Sequence, residues 1–266
     1  MRKLTLHTLI LAAFLAVGTS CSTNTKSDSI KLIAHRGGVV ESGSPENSRE
    51  ALLKAAERGY WAVELDTRVT KDSVLITHHD KDFNRYFNHN RQVSDMTWLE
   101  IESLVSESGT KVQKLEDALI LCEEKGLNVM IDNKISGFHE SVFEELIRLL
   151  DKHNLRSNAL MIGTTASTEF FTGKIRLSCT REQLEENMRR ADYSPNNYYY
   201  FGNPSAEDAI WAKENNIMVV GVINEWAFRD KNEREEVEKI VTQLRDNQIQ
   251  YIQLDLKYDS WILSFD

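Results

Sequence analysis

Ile33-Ala34-His35-Arg36-Gly37-Gly38, Pro45-Glu46-Asn47-Ser48, Trp61-Ala62-Val63-Glu64-Leu65-Asp66 and Val74-Leu75-Ile76-Thr77-His78-His79-Asp80 follow one another within residues 33–80. Each of three short apolar runs in this stretch ends in ionisable side chains. Strand ends are where a parallel α/β barrel gathers its site. Two histidines supply a general acid and a general base. Grouped carboxylates suit a hard divalent cation, and an arginine beside them suits a phosphate oxygen. The combination points to metal-assisted cleavage of a phosphate ester.

Working outward, short apolar or β-branched runs alternate with longer amphipathic segments. Strands are expected at 31–35, 61–66, 74–78, 128–133, 159–163, 175–179, 217–222 and 251–255. Helices are expected at 47–59, 115–125, 140–153, 181–190, 205–215 and 233–247. Eight strands with interposed helices predict an α/β fold of the TIM (β/α)8 barrel type, and a doubly wound open sheet is the structural alternative. The connection 80–114 is long for a βα loop and should sit over the mouth, with a capped short helix at 94–100. Tyr198-Tyr199-Tyr200-Phe201 reads as aromatic packing under a loop, with an added strand as the other reading.

The N-terminus follows a different logic. Arg2 and Lys3 precede a mostly apolar run and the small residues Gly18-Thr19-Ser20, and Cys21 follows. Residues 1–20 read as a secretory signal that resembles a bacterial lipoprotein signal, with Cys21 as the lipidated residue. The apolar run is shorter than the ~20 residues that span a bilayer. Residues 21–29 are a polar tether, and 30–266 form one barrel domain, a length typical of the fold. The expected location is the bacterial cell envelope, exported and lipid-anchored. The whole chain carries −9, and losing Arg2 and Lys3 with the signal leaves −11. Such a balance argues against nucleic acid as a partner and against broad attraction to anionic membranes. Cys122 and Cys179 are expected as buried free thiols, and no zinc-ligand spacing is present.

Within the stretch, Glu64 and Asp66 are two residues apart and therefore share a strand face. Adjacent carboxylates are costly unless a cation or a proton intervenes. Asp132 ends the fourth expected strand as a third oxygen ligand, and Lys134 shares its face as a phosphate contact. Oxygen-only ligation favours one Mg²⁺ or Ca²⁺ over zinc. His35 and His79 are the candidate catalytic pair. His78 should point the other way along its strand. Arg36 is the second phosphate contact. Glu46 is either a helix-start acid or part of the metal shell, and Asn47 either an N-cap or a hydrogen-bonding group in the site.

With these motifs in place, the chain resembles the glycerophosphodiester phosphodiesterases. Ala34-His35-Arg36-Gly37, Pro45-Glu46-Asn47-Ser48, Glu64-Leu65-Asp66 and His79-Asp80 match the family's opening pattern. Weaker matches are Asn84-Arg85, residues 93–97 and 115–119, and Asp132-Asn133-Lys134, with Asp255 near the usual acidic end of the last strand. The resemblance implies a TIM barrel of the PLC-like phosphodiesterase type that hydrolyses glycerophosphodiesters to glycerol 3-phosphate and an alcohol. It implies His35 and His79 as the acid/base pair, Glu64, Asp66 and Asp132 as metal ligands, and Arg36 and Lys134 as phosphate contacts. The substrate's own neighbouring hydroxyl would act as nucleophile, giving a cyclic phosphate that water opens. The partner is then a small-molecule or lipid-derived phosphodiester, with the membrane reached through the lipid anchor. Departures are Asp132 in place of a usual glutamate, Asn133 in place of a small apolar residue, Ser73 for a turn glycine, Gln113 for a proline, and Lys257 for a proline. The seventh strand also lacks a common tryptophan-threonine pair. These changes leave other diesters in play, namely phosphoinositol, lysophospholipid or envelope-polymer esters, and a non-catalytic phosphodiester-binding lipoprotein as a third reading.

Overall fold

The structure, a computed structural model, describes residues 30–38, 45–229 and 231–263. The expected signal, Cys21 and the tether lie outside the described residues. Eight parallel strands run in chain order: β1 Lys31–Ala34, β2 Ala62–Val69, β3 Asn128–Asn133, β4 Leu160–Ile162, β5 Arg176–Cys179, β6 Tyr198–Phe201, β7 Met218–Ile223 and β8 Tyr251–Leu254. Each pairs with its successor, and β1 pairs with both β8 and β2, so the barrel closes. Closure leaves no edge within this parallel set.

Strand number eight was expected, but its membership differs. Residues 74–78 are not a barrel strand. Leu75–Thr77 instead folds back antiparallel on the upper part of β2, with Thr67 opposite Thr77 and Val69 opposite Leu75. The physical reason is loop length. A parallel crossover needs a dozen or more residues, and only the turn around Thr70 to Ser73 separates these two strands. Ser73, standing where a glycine is usual, holds that turn at φ +65°. The missing barrel strand is the aromatic run Tyr198–Phe201, whose reading as loop packing is corrected here. Tyr198 and Tyr199 are both buried. A barrel strand is covered on both faces and so reads as a continuous apolar run.

Two packing layers follow from the strand period. Ile33, Ala62, Met130, Leu160, Tyr199 and Val220 fill the barrel interior. A larger cluster, including Leu65, Val129, Ile131, Leu146 and Ile252, lies between the strands and the outer helices. Both free thiols, Cys122 and Cys179, are buried. The helix Arg49–Glu57 is capped by Ser48, whose hydroxyl accepts the Ala51 amide at 3.2 Å. The helix Leu115–Lys125 ends in a left-handed Gly126. The 80–114 insertion has its own small core of Ile76, Phe83, Val93, Met96, Ile101 and Val112. Its short helix is Trp98–Ile101, with Thr97 and Glu100 forming the capping box. Among the described residues, no helix is long and apolar enough to cross a membrane.

Candidate active site

Period-two geometry carries the inner core upward into the mouth. Ile33 is followed on the same face by His35, Ala62 by Glu64 and Asp66, and Met130 by Asp132 and Lys134. Register then aligns them: Glu64 sits opposite Met130 and Asp66 opposite Asp132. The chain above β1 turns sharply, with Arg36 at φ +53° and Gly37 at φ +74°. A Cβ on Gly37 would lie 2.7 Å from a Leu52 methyl. This turn aims the Arg36 amide at the acidic centre, where it donates to Glu64 Oε2 at 2.6 Å.

Glu64, Asp66 and Asp132 each offer an oxygen within 4.8 Å of the others. Asn47 grips Asp66 twice, donating to Oδ2 at 2.8 Å and accepting the Asp66 amide at 3.0 Å. Asn47 is thus a hydrogen-bonding group of the site, and the N-cap role falls to Ser48. The Asn47 carbonyl accepts from Thr77 and from Gln113, each at 2.8 Å. Gln113, standing where proline is usual, therefore supports the acidic centre at one remove. Lys134 Nζ lies 2.6 Å from Asp132 and 3.4 Å from Asp66.

The electrostatics of this group are unfavourable by themselves. Burial, then the charges of Asp66 and Asp132, push Glu64 well above its ordinary 4.5. Burial also raises Asp132, although Lys134 opposes it. Glu64 Oε1 is buried and has no hydrogen-bond partner among the described residues. An orphan oxygen facing two further carboxylates fits a hard divalent cation, which prefers oxygen donors. The second acidic group, Glu46 with His79 and Asp80, does not share that character. Glu46 accepts both Arg36, at 3.1 and 3.2 Å, and Arg85, so its charge is already matched.

Each candidate histidine is oriented by an aspartate. His35 Nδ1 is 2.7 Å from Asp255 Oδ1. Burial works against the Asp255 charge, but His35 outweighs it and holds the carboxyl below its ordinary 3.8. An ionised carboxylate only accepts, so His35 carries its proton on Nδ1. His79 Nδ1 is 2.7 Å from Asp80 Oδ1, and Arg36 donates to His79 Nε2 at 2.8 Å. A guanidinium has no acceptor, so Nε2 must present its lone pair. Arg85 donates to Asp80 at 2.7 Å as well as to Glu46, closing a ring from Arg36 through Glu46, Arg85, Asp80 and His79. His78 turns away, as its strand position requires. Its Nε2 bonds the Asp82 carbonyl at 2.8 Å and its ring packs 4.7 Å from Phe83.

Three contributors were not assigned these tasks from the sequence. Asp255 orients His35, and Arg85 braces Asp80. Arg68 donates to the His79 carbonyl at 2.6 and 3.0 Å and to the Lys134 carbonyl at 3.2 Å, tying two loops together. Arg68 continues the Glu64, Asp66 period by two, which was the available signal. Lys257, the other replacement of a proline, pairs with Glu225 and Glu233 instead of entering the mouth.

A first expected result concerns Asp255. Asp255→Asn offers His35 a donor or a weaker acceptor and disturbs its tautomer. Loss of an outer partner of a metal-bound histidine costs about 10–100-fold, and an asparagine that imposes the wrong tautomer on a catalytic histidine costs up to about 10⁴-fold in kcat. The kcat should fall in that range with KM little changed, and the pH–rate profile should move. An unchanged pH profile would reduce Asp255 to a packing residue.

The fold is a closed (β/α)8 TIM barrel, and its mouth brings an acidic centre of three carboxylates together with two aspartate-oriented histidines. Residues 35–159 match the model of the Glycerophosphoryl diester phosphodiesterase family. A glycerophosphodiester phosphodiesterase from Caldanaerobacter subterraneus is 30% identical over 139 residues, 49% of this chain and 56% of that protein. The chain spans about half the length of the first curated relatives it matches. A Parabacteroides distasonis glycerophosphoryl diester phosphodiesterase superposes with a TM-score of 0.72 at 20% identity, covering 90% of this chain and 88% of that one. An Oleispira antarctica phosphodiesterase in complex with the product sn-glycerol-3-phosphate gives 0.67 at 17% identity, covering 88% and 95%.

Proposed function

We propose that this protein hydrolyses glycerophosphodiesters to glycerol 3-phosphate and an alcohol. The observation that carries the reading is the pair of aspartate-held histidines beside three converging carboxylates. Glu64, Asp66 and Asp132 would hold one Mg²⁺ or Ca²⁺. When bound, that ion supplies Lewis-acid stabilisation of the phosphoryl oxygens. Arg36 and Lys134 add positive charge for the same oxygens. An arriving phosphate competes for the Arg36 donor that now rests on His79, and so frees the Nε2 lone pair.

The proton steps need one histidine to enter neutral, with its Nε2 lone pair free, and the other to enter doubly protonated, with Nε2–H as the acid. One histidine accepts the proton of the glycerol hydroxyl next to the ester as that oxygen bonds to phosphorus. The P–O bond to the alcohol breaks, and the alcohol oxygen takes a proton from the other histidine. Water then opens the cyclic ester with the two roles reversed, which restores both rings. Asp255 and Asp80 keep the rings in register throughout. The captured product in the Oleispira antarctica protein is consistent with this outcome. The test is incubation with a panel of glycerophosphodiesters and identification of the phosphate-bearing product by ³¹P NMR. A panel left intact, or phosphate found on the alcohol side, rejects the reading.

The location is proposed on the N-terminal sequence, with residues 1–20 as signal, Cys21 as the lipidated residue and 21–29 as tether to a 30–266 barrel domain. A domain bearing −11 gains little from anionic lipid, so acyl chains would do the anchoring, and stable anchoring generally takes more than one. Cys21→Ser should remove the protein from the membrane fraction, or leave its precursor uncleaved, with activity unaltered. Mass analysis of the mature N-terminus decides it, since an unmodified Cys21 rules the lipoprotein form out.

A further inference from the structure

Beside the mouth lies a second cleft, of about 460 Å³, bounded by the upper end of β2, the 80–94 hairpin and the segment after β3. Arg68 and Lys134 line it and are shared with the candidate active site. Lys71, Lys81 and His139 line its outer part, and Ser and Thr hydroxyls complete its polar wall. Not one carboxylate lines this cleft, in a chain with 41 acidic and 32 basic residues. Of the acids next to the two lysines, Asp72 accepts Thr70 Oγ1 and the Trp98 amide, Asp80 pairs with His79 and Arg85, and Asp82 accepts the Asn84 amide. The lysines differ from most cations of this surface. Lys71 and Lys81 are exposed and make no side-chain hydrogen bond or ion pair among the described residues.

Positive side chains left without counter-charge repel one another, and a low-dielectric cleft lined by one sign focuses its potential on an anion. The cleft adjoins the acidic centre through Lys134, which lines the cleft and whose ammonium lies 2.6 Å from Asp132. A diester bound by Arg36 and Lys134 therefore has one arm able to run toward Lys71 and Lys81. We infer that this cleft binds a second anionic group on the substrate, so that the preferred substrates are glycerophosphodiesters whose alcohol itself carries a phosphate. The inference rests on the proposed hydrolysis and adds the class of its alcohol.

The test uses two diesters that differ by one glycerophosphoryl unit, and so by one anionic group. The first is glycerophosphoglycerol. The second is glycerol esterified with glycerophosphate on both primary hydroxyls. The wild-type protein should favour the second in kcat/KM at low ionic strength. Lys71→Gln together with Lys81→Gln should cut that preference by about 3–10-fold, the scale of two exposed charge contacts. Turnover of glycerophosphoglycerol should be unchanged, because neither lysine enters the catalytic ring. Raising salt should erode the preference in the wild type, since exposed charges are screened beyond ~10 Å at 0.1 M. Equal use of both diesters, or a preference untouched by the double substitution, overturns the inference. If neither diester is cleaved, the hydrolytic reading fails instead. Calorimetric binding of the same two diesters to the wild-type and doubly substituted proteins then still decides the cleft.

Discussion

His35→Ala and His79→Ala should each lower kcat by about 10²–10⁴-fold, the usual contribution of a positioned acid or base, while His78→Ala stays close to the wild-type rate. The distinction is geometric. His79 stands between Asp80 and Arg36, with an unprotonated Nε2 facing the mouth. Its neighbour is fixed to the Asp82 carbonyl and stacked on Phe83, so removing that ring disturbs the insertion's packing instead of proton transfer. His78→Ala should therefore appear as a lower Tm with kcat retained. The single-turnover rate separates the two effects. A His78 variant slower than a His79 variant would reverse the assignment of faces. A His35 variant with full activity would leave only one proton-transfer group and would require another route for protonating the leaving alcohol.

How far the sequence alone reached follows from what kind of signal each residue left. Glu64, Asp66, Asp132 and Lys134 were legible because a strand's period of two is rigid, and because the closing register of β2 against β3 needs no side-chain detail. The choice of His79 over His78 came from the same alternation. The opposed facing of the two rings holds even though the supporting strand is antiparallel and outside the barrel, because the hairpin returns its end to the level of Asp66, whose carbonyl accepts the His78 amide at 2.9 Å. The strand swap reflects loop length and composition: the turn after β2 is too short for a parallel crossover, and four consecutive aromatics carry no alternation because a barrel strand is covered on both faces. Asp255 and Arg85 were visible as residues but not as partners. Their roles depend on contacts 220 and 39 positions away in the chain, His35 for Asp255 and Glu46 for Arg85. No local pattern encodes such pairings.

The same contacts explain how the departures from the family pattern are absorbed. Ser73 adopts the left-handed turn without a glycine. Gln113 adds a donor for the Asn47 carbonyl that a proline could not supply. Asp132, one methylene shorter than glutamate, is met by Lys134 at 2.6 Å, so its charge is partly balanced before any cation arrives.

Removing divalent cations should abolish turnover, and restoring Mg²⁺ or Ca²⁺ should recover it, with a stability signature that does not depend on activity. Glu64 is raised well above 4.5 in the folded protein without metal. A carboxyl raised in this way contributes stability that is fully present below its unfolded value and is lost as pH rises through its folded value. Near neutral pH the metal-free acidic centre is therefore a burden on the fold. A cation bound to the folded state alone removes that burden and adds RT ln(1 + [L]/Kd), about 2.7 kcal/mol at a hundredfold excess over Kd. It must also displace the proton, so its affinity rises with pH. The Tm gain from saturating Mg²⁺ or Ca²⁺ should accordingly be larger at pH 7.5 than at pH 5. Asp66→Asn should shrink the gain at both values and depress kcat/KM, while the metal-free Tm stays level or rises because one of three crowded charges is gone. Calorimetric scans of both proteins, with chelator and with each ion, read these terms directly. A Tm indifferent to the ions, or a chelated enzyme with full turnover, would remove Glu64, Asp66 and Asp132 from the chemistry and leave them as a buried acidic cluster held only by Lys134, Asn47 and the Arg36 amide.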